Sequence, residues 1–329
     1  MDQKNHSPIP FVQLLNEKGS IVCTADVNGV LPYIDMPKKQ QCSLQQISYK
    51  TLEFSSDLLQ KRKSLYLLPM SYALDEVTIH ADQPDYICLK GYYRSYQFND
   101  SLLKYYSDGI VEYFIPLRKK KLKFKLLQYR SFRSKKIVKL DRKRAFSVSD
   151  ISVAIPYIEC LSLMEEVKQK YDIIGSSIFV DSIKAGSLSI NDANNSLKIE
   201  LDRLAPKKQK SFSLFGYTST LVSSFVIENS RFENDFISRM NLLNRKEYIK
   251  KFYHYKKDKK MQLIESVSEF YVIDRSYMTK AEMKKVKTDS NGYGMPCSHN
   301  YTTEYWRILN VPKLSSSLQD ALNNKLEMY

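Results

Sequence analysis

The sequence predicts an α+β fold: antiparallel, meander-rich sheets with a few amphipathic helices, in two closely packed parts. Three observations carry this reading. Short runs alternate apolar and polar residues, as in 121–126 and 197–202, a period that suits half-buried strands. Turn dipeptides such as Asn28-Gly29 and Asp108-Gly109 punctuate them. A smaller number of stretches repeat apolar residues every three or four positions, the helical period. With 329 residues the chain exceeds the roughly 250–300 at which one core stops growing. Charge density drops after Arg144, so the expected parts are 1–150, β-rich and basic with one helix, and 151–329, mixed α+β with a long basic helix.

Residues 11–15 and 20–26 read as strands, with Asn28-Gly29 turning into a third over 30–34. Leu44, Ile47, Thr51, Phe54 and Leu58 fall on one helical face, so residues 44–61 are expected to be a helix with Ser43 as N-cap. Residues 76–80 and 85–89 read as strands around Pro84. The aromatic segment 91–98 follows, with Tyr92, Arg94, Tyr96 and Phe98 on one side of a strand. Residues 110–115, 122–126 and 137–140 would then form a meander, with Pro116 at a strand end because it has no amide to donate.

In the second half, a helix over 157–171 carries Tyr157, Leu161, Met164 and Tyr171 on one stripe. Residues 173–183 and 197–202 read as strands. Residues 212–227 read as one bent strand or two, interrupted by Gly216. Phe232, Phe236, Met240 and Leu243 continue into a basic aromatic run at 245–260, read as one long helix. Thr279 with Glu282 has the spacing of a capping box ahead of a short basic helix. Residues 317–328 read as a polar helix.

The charge is concentrated. Residues 118–144 hold fourteen Lys or Arg against one acid, Asp141, and so account for thirteen of the chain's fifteen net positive charges. Such a patch draws polyanions, nucleic acid first. The candidate phosphate contacts are Arg118, Lys119, Lys120, Lys121, Lys123, Lys125, Arg130, Arg133, Lys135, Lys136, Arg142, Lys143 and Arg144. Lys121, Lys123 and Lys125 alternate with Leu122, Phe124 and Leu126, which gives a lysine side and an apolar side. Tyr92, Arg94 and Tyr96 are candidates for base stacking, although aromatics at strand spacing equally suit a core. Lys250, Lys251, Lys256 and Lys257 form a second candidate face.

Catalytic signatures are absent. There is no GxGxxG, Walker A loop, HExxH or GxSxG. A nuclease would need dispersed carboxylates, and Asp181, Glu200 and Asp202 with Lys198 are the weak candidates for holding Mg²⁺. No cofactor is expected outside that alternative. Cys297 and His299 alone do not make a zinc site. The five cysteines, without a CxxC, fit a reducing compartment. The first residues lack a basic-then-apolar leader, and no apolar run is long enough to span a membrane. An intracellular location, cytoplasmic or nucleoid-associated, follows as the expectation.

The function expected is therefore non-catalytic nucleic-acid binding through the phosphate backbone, with single-stranded nucleic acid or RNA favoured by the aromatic interleaving. The protein would be a subunit of a nucleoprotein complex with other protein subunits. A divalent-metal nuclease and a structural or protein-interaction subunit with a basic face are the alternatives.

Overall fold

The computed structural model describes residues 1–70, 84–118, 121–134, 155–191, 195–207, 209–232, 238–257, 260–289, 294, 296, 298–309 and 311–328. Antiparallel β-structure dominates. A small sheet comprises β1 (Gln13–Leu15), β2 (Ile21–Thr24), β3 (Gln41–Gln45) and β4 (Leu52–Ser55), in the order β2-β1-β3-β4. A short helix, α1 (Asp57–Lys61), follows.

The second sheet has twelve strands. Its early strands are β5 (Tyr86–Asn99), β6 (Leu102–Pro116) and β7 (Lys123–Ser134). After helix α2 (Leu163–Lys170) come β8 (Asp172–Ile174), β9 (Ser177–Val180), β10 (Ile183–Asn191), β11 (Ser196–Asp202), β12 (Lys210–Leu214) and β13 (Tyr217–Arg231). The long strands β14 (Leu242–Tyr255) and β15 (Gln262–Met278) complete its middle. Helices α3 (Lys280–Lys285), α4 (Tyr305–Ile308) and α5 (Ser316–Lys325) lead to β16 (Leu326–Met328). The order is β16-β7-β6-β5-β15-β14-β13-β11-β10-β9-β8, with β12 pairing β13.

The expected boundary near 150 does not divide this sheet. β5 pairs with β15 from Asn99↔Ile264 to Tyr86↔Met278, so strands from both sides of that boundary share one ladder. The reason lies in what covers it. On one face Tyr92, Tyr96, Tyr248 and Tyr271 pack against Phe11, Leu15, Ile47, Tyr305, Leu318 and Leu322. On the other, Tyr93, Val111, Tyr113 and Phe270 pack against Ile155, Ile158, Met240 and Leu242. Fully burying a residue such as Phe270 contributes about 1.5–3 kcal/mol.

Burial on both faces also forces charged side chains inside, where they are paired, as buried charges must be. Arg94 bonds Glu269, which Lys246 also meets. Glu228 receives Arg239 and Arg245.

Several local expectations change. The stripe over 44–58 is not a helix: β3 and β4 form a hairpin, Cys42 and Leu44 facing the small core with Phe54, and only α1 is helical. The helix expected over 157–171 is confined to α2, because the capping box between Ser162 and Glu165 fixes its start. The long helix expected from Ser230 onward is not found among the described residues of this stretch. β13 ends at Arg231, a 3-10 turn spans Arg239–Asn241, and β14 follows. The apolar spacing there coincides with the helical period, but β14 is tied on both sides by β13 and β15. Asp108-Gly109 is not a turn but lies inside β6. A Cβ on Gly109 would collide with the Gln128 carbonyl oxygen, so glycine here permits close strand approach. The strands expected at 76–80 and 137–140 lie outside the described residues. Among the described residues, no helix is long and apolar enough to cross a membrane.

Candidate nucleic-acid interface

The start of β7 carries the described part of the basic stretch. Leu122 and Phe124 turn into the apolar core beneath, and Arg118, Lys121 and Lys123 are exposed. Registration across four strands then sets a row of alternating charge: Lys125 faces Glu112, Glu112 faces Lys90, and Lys90 faces Asp274. Opposite charges directly across a ladder stabilise the pairing. By itself this row is close to neutral.

α3 changes the balance. Its start is fixed by the capping box of Thr279 and Glu282, and its Met283 packs on Cys88 and Phe114. The segment after it runs along β7: the Asp289 amide donates to the Phe124 carbonyl, and the Asp289 carboxylate accepts from the Leu126 amide. Lys285 and Lys287 are thereby set over the charged row. A cleft of about 420 Å³ results, lined by Lys90, Lys125, Arg275, Lys285, Lys287 and the acids Glu112 and Asp274, among others. Arg275 is committed, since it donates to the Met240 carbonyl. Burial, with Glu112 nearby, pushes the Cys88 thiol in this cleft up to about 12, so it is no nucleophile at neutral pH.

The expected residues separate into groups. Lys125 lines the cleft, Lys123 pairs with Phe114 of its lining, and Arg118 and Lys121 are exposed. Lys119, Lys120, Lys135, Lys136, Arg142, Lys143 and Arg144 lie outside the described residues, as do Asp141 and Cys297. Arg130 is not a surface cation: its guanidinium bonds the wholly buried Asp108 and covers the Trp306 ring. Arg133 lies buried opposite Glu327.

The stacking expectation for Tyr92, Arg94 and Tyr96 is corrected by burial. Tyr92 is 3% exposed and Tyr96 1%. The Tyr92 hydroxyl donates to Asp108, and Arg94 bonds Glu269 and the Pro312 carbonyl. No base could reach these rings. Lys250 meets Glu265, and Lys251 sits opposite Ile264 in the β14–β15 ladder. Lys256 and Lys257 are exposed beyond the end of β14. Glu265 and Asp274 stand on the same strand roughly 30 Å apart, so the 250–257 lysines and the cleft occupy opposite ends of β15.

The carboxylate group does not converge. Lys198 and Glu200 meet at 3.2 Å, but Glu200 is buried and also accepts from Gln46 and Ser187. Burial pulls the Lys198 ammonium down, yet Glu200 and Tyr49 outweigh it and hold its pKa above the usual lysine value. Asp202 accepts from the Leu204 amide, and burial holds its carboxyl above the usual range. Asp181 lies in the β9–β10 turn, whereas Glu200 pairs with Ser187. The offset along β10 is roughly 13 Å by strand geometry. Among the described residues, no group of three or more His, Cys, Asp or Glu side chains is placed to hold a metal ion.

Lys90, Lys285 and Lys287 carry no binding signal of their own in the sequence. The capping box at Thr279 predicts the helix, but not the sheet face on which it lies. Comparison with protein-family models and with curated proteins finds no match for this chain.

Proposed function

We propose that this protein binds nucleic acid without catalysis, contacting the phosphate backbone through the lysine cleft and the basic stretch that adjoins it. The observation that supports this is the gathering of Lys90, Lys125, Lys285 and Lys287 around one cleft, next to exposed Lys121 and Lys123. Lysine ammoniums on a sheet face suit phosphate as point charges, and phosphate contacts position a strand without reading its sequence. With Tyr92 and Tyr96 buried, aromatic stacking gives no preference for single strands or RNA at this face. Binding is expected to depend weakly on base identity. A role as a subunit of a nucleoprotein assembly is part of this reading.

The test is a salt titration of binding to labelled single-stranded DNA, single-stranded RNA and duplex DNA, followed by anisotropy. Each phosphate contact contributes about 0.7–0.9 to the slope of log K against log salt. Changing Lys121, Lys123, Lys285 and Lys287 together to Gln is expected to lower that slope by about three. An absence of binding at low salt to all three ligands, or an unchanged slope in the variant, would overturn the proposal.

A further inference from the structure

Away from the cleft, the second sheet extends into a hairpin with an uncovered apolar tip. β12 and β13 form this hairpin, closed by Leu214↔Tyr217, with only Phe215 and Gly216 between them. Both turn residues have positive φ, 48° and 82°, which fits a two-residue hairpin turn. Such a turn asks for the conformational freedom of glycine at both positions. The first is nevertheless phenylalanine, a bulky residue that seldom adopts this conformation. That side chain is 85% exposed, and Phe212 and Leu214 are 66% and 52% exposed.

The ribbon is layered by register. On one face, Lys210, Leu221 and Lys251 are opposed in one row. Phe212, Ser219 and Tyr253 make the next row, and Leu214, Tyr217 and Tyr255 the last before the turn. Tyr217 stacks on both Tyr255 and Tyr253, with ring centroids 4.3 and 5.8 Å apart. The opposite face of the hairpin is polar, where Ser211 pairs with Thr220 and Ser213 with Thr218 through their hydroxyls. The turn after β14 lies alongside, because the Lys256 amide donates to the Gly216 carbonyl. Residues 207–221 contain three lysines and no acid, and residues 249–263 six lysines and one aspartate.

Beside the turn residues Phe215 and Gly216 lies Lys256; Leu214 shares the next row with the stacked Tyr217 and Tyr255, Phe212 and Tyr253 follow, and Lys210 and Lys251 come after them. Leu214 and Lys210 are separated by roughly 13 Å of strand. Exposed aliphatic and phenyl groups, tyrosine rings and lysines gathered at one end of a ribbon suit a lipid interface, where hydrocarbon enters the acyl boundary, aromatic rings lie at the headgroups and lysines reach the anionic phosphates. The tip is a two-residue turn closed by Leu214↔Tyr217, whereas base stacking on single strands uses aromatics along a groove.

We propose that this hairpin tip inserts into the interface of an anionic lipid bilayer, with Leu214 and Phe215 as the inserted residues and Lys210, Lys256 and Lys257 as contacts to the lipid phosphates. The proposal is independent of the cleft.

The test uses the full chain with sedimented vesicles of phosphatidylcholine alone or mixed with phosphatidylglycerol. Binding to the anionic vesicles is expected, and Leu214→Ser with Phe215→Ser should weaken it by about tenfold or more, since each change removes a largely exposed apolar side chain from hydrocarbon. Because these side chains are exposed, the variant should keep the unfolding midpoint of the parent. Phe215→Trp, measured against the background of Trp306, should shift its emission to the blue on anionic vesicles. The cleft variant lacking Lys121, Lys123, Lys285 and Lys287 should insert as the parent does, which separates this proposal from the nucleic-acid reading. Absence of vesicle binding, binding unaffected by the double Ser variant, or a Phe215→Trp emission that stays unshifted on bound vesicles would each overturn it. So would loss of oligonucleotide binding in the double Ser variant without any lipid binding, which would assign the tip to base contact.

Discussion

Arg130 lies over the indole of Trp306, its guanidinium carbon 3.4 Å from the ring centroid, while its Nε and Nη2 hold Asp108. Asp108 also accepts from the hydroxyls of Tyr92, Tyr106 and Tyr305. One guanidinium and three hydroxyls thus hold this carboxylate within the sheet, and the arginine is sealed by the chain's sole tryptophan.

Asp108→Ala leaves Arg130 buried without its counter-charge and three tyrosine hydroxyls without an acceptor. Loss of one member of a buried pair costs about 3–5 kcal/mol. Urea unfolding followed by Trp306 emission is expected to show a destabilisation of that size, together with altered native emission because the cation over the indole is no longer anchored.

Arg130→Gln and Lys123→Gln separate a structural cation from a surface one. Arg130→Gln should lower the unfolding midpoint and leave the salt slope of nucleic-acid binding unchanged. Lys123→Gln should do the reverse, with the slope reduced by about 0.7–0.9. Equal effects of the two on the slope would place Arg130 at the binding surface, contrary to its burial.

Gly109→Ala is expected to destabilise the sheet by about 1–3 kcal/mol, the usual range for overpacking. The new methyl would meet the Gln128 carbonyl and the Tyr93 ring. Gly175→Ala is the comparison: its Cβ meets nothing within 4 Å, so any cost there comes from its positive φ alone. Thermal melts of the two variants check this.

Acid should weaken the fold through the buried carboxylates. Burial alone would raise the Glu159 pKa, but Arg245, Arg203 and Arg239 outweigh it and lower the value from 4.5 to about 2. Glu228 and Glu269 are lowered as well, against their burial, by Arg239 and Arg245 and by Arg94 and Lys246. A carboxyl depressed in the folded state contributes stability above its unfolded pKa and loses it as pH falls through the folded one. Stability should therefore decline between about pH 4.5 and 2. Glu159→Gln should lower stability at neutral pH by up to roughly 3 kcal/mol and flatten that decline.

The sequence was most legible where one face of an element is apolar. The period of two over 121–126 matches the start of β7, with Phe124 inside and Lys123 outside. The Thr279 and Glu282 spacing marks α3, and Gly216 divides β12 from β13. Legibility failed where both faces are buried. β14 carries Arg245 and Lys246 in succession, and each is buried against a carboxylate from another strand. Those paired charges erase the alternation that would have marked a strand, and leave helical spacing by coincidence. The lysine cleft was half legible: the strand lysines are visible locally, whereas Lys285 and Lys287 reach it only through the docking of Met283 on Cys88 and Phe114. The Tyr92, Arg94 and Tyr96 segment reads equally well as platform or core, and only the cover supplied by Tyr305 and Phe11 decides it.

The ladder between β5 and β15 also sets a timetable for the newly made chain. β5 leaves the ribosome roughly 160 residues before its partner, and at about 5–20 residues per second that edge waits about 8–30 seconds for closure. During that interval the hairpin of β5 and β6 offers an open row of amides and carbonyls to any passing strand. The placement of its partner so late in the chain gives chaperone cover during synthesis a physical reason, and such non-local closure is intrinsically slow.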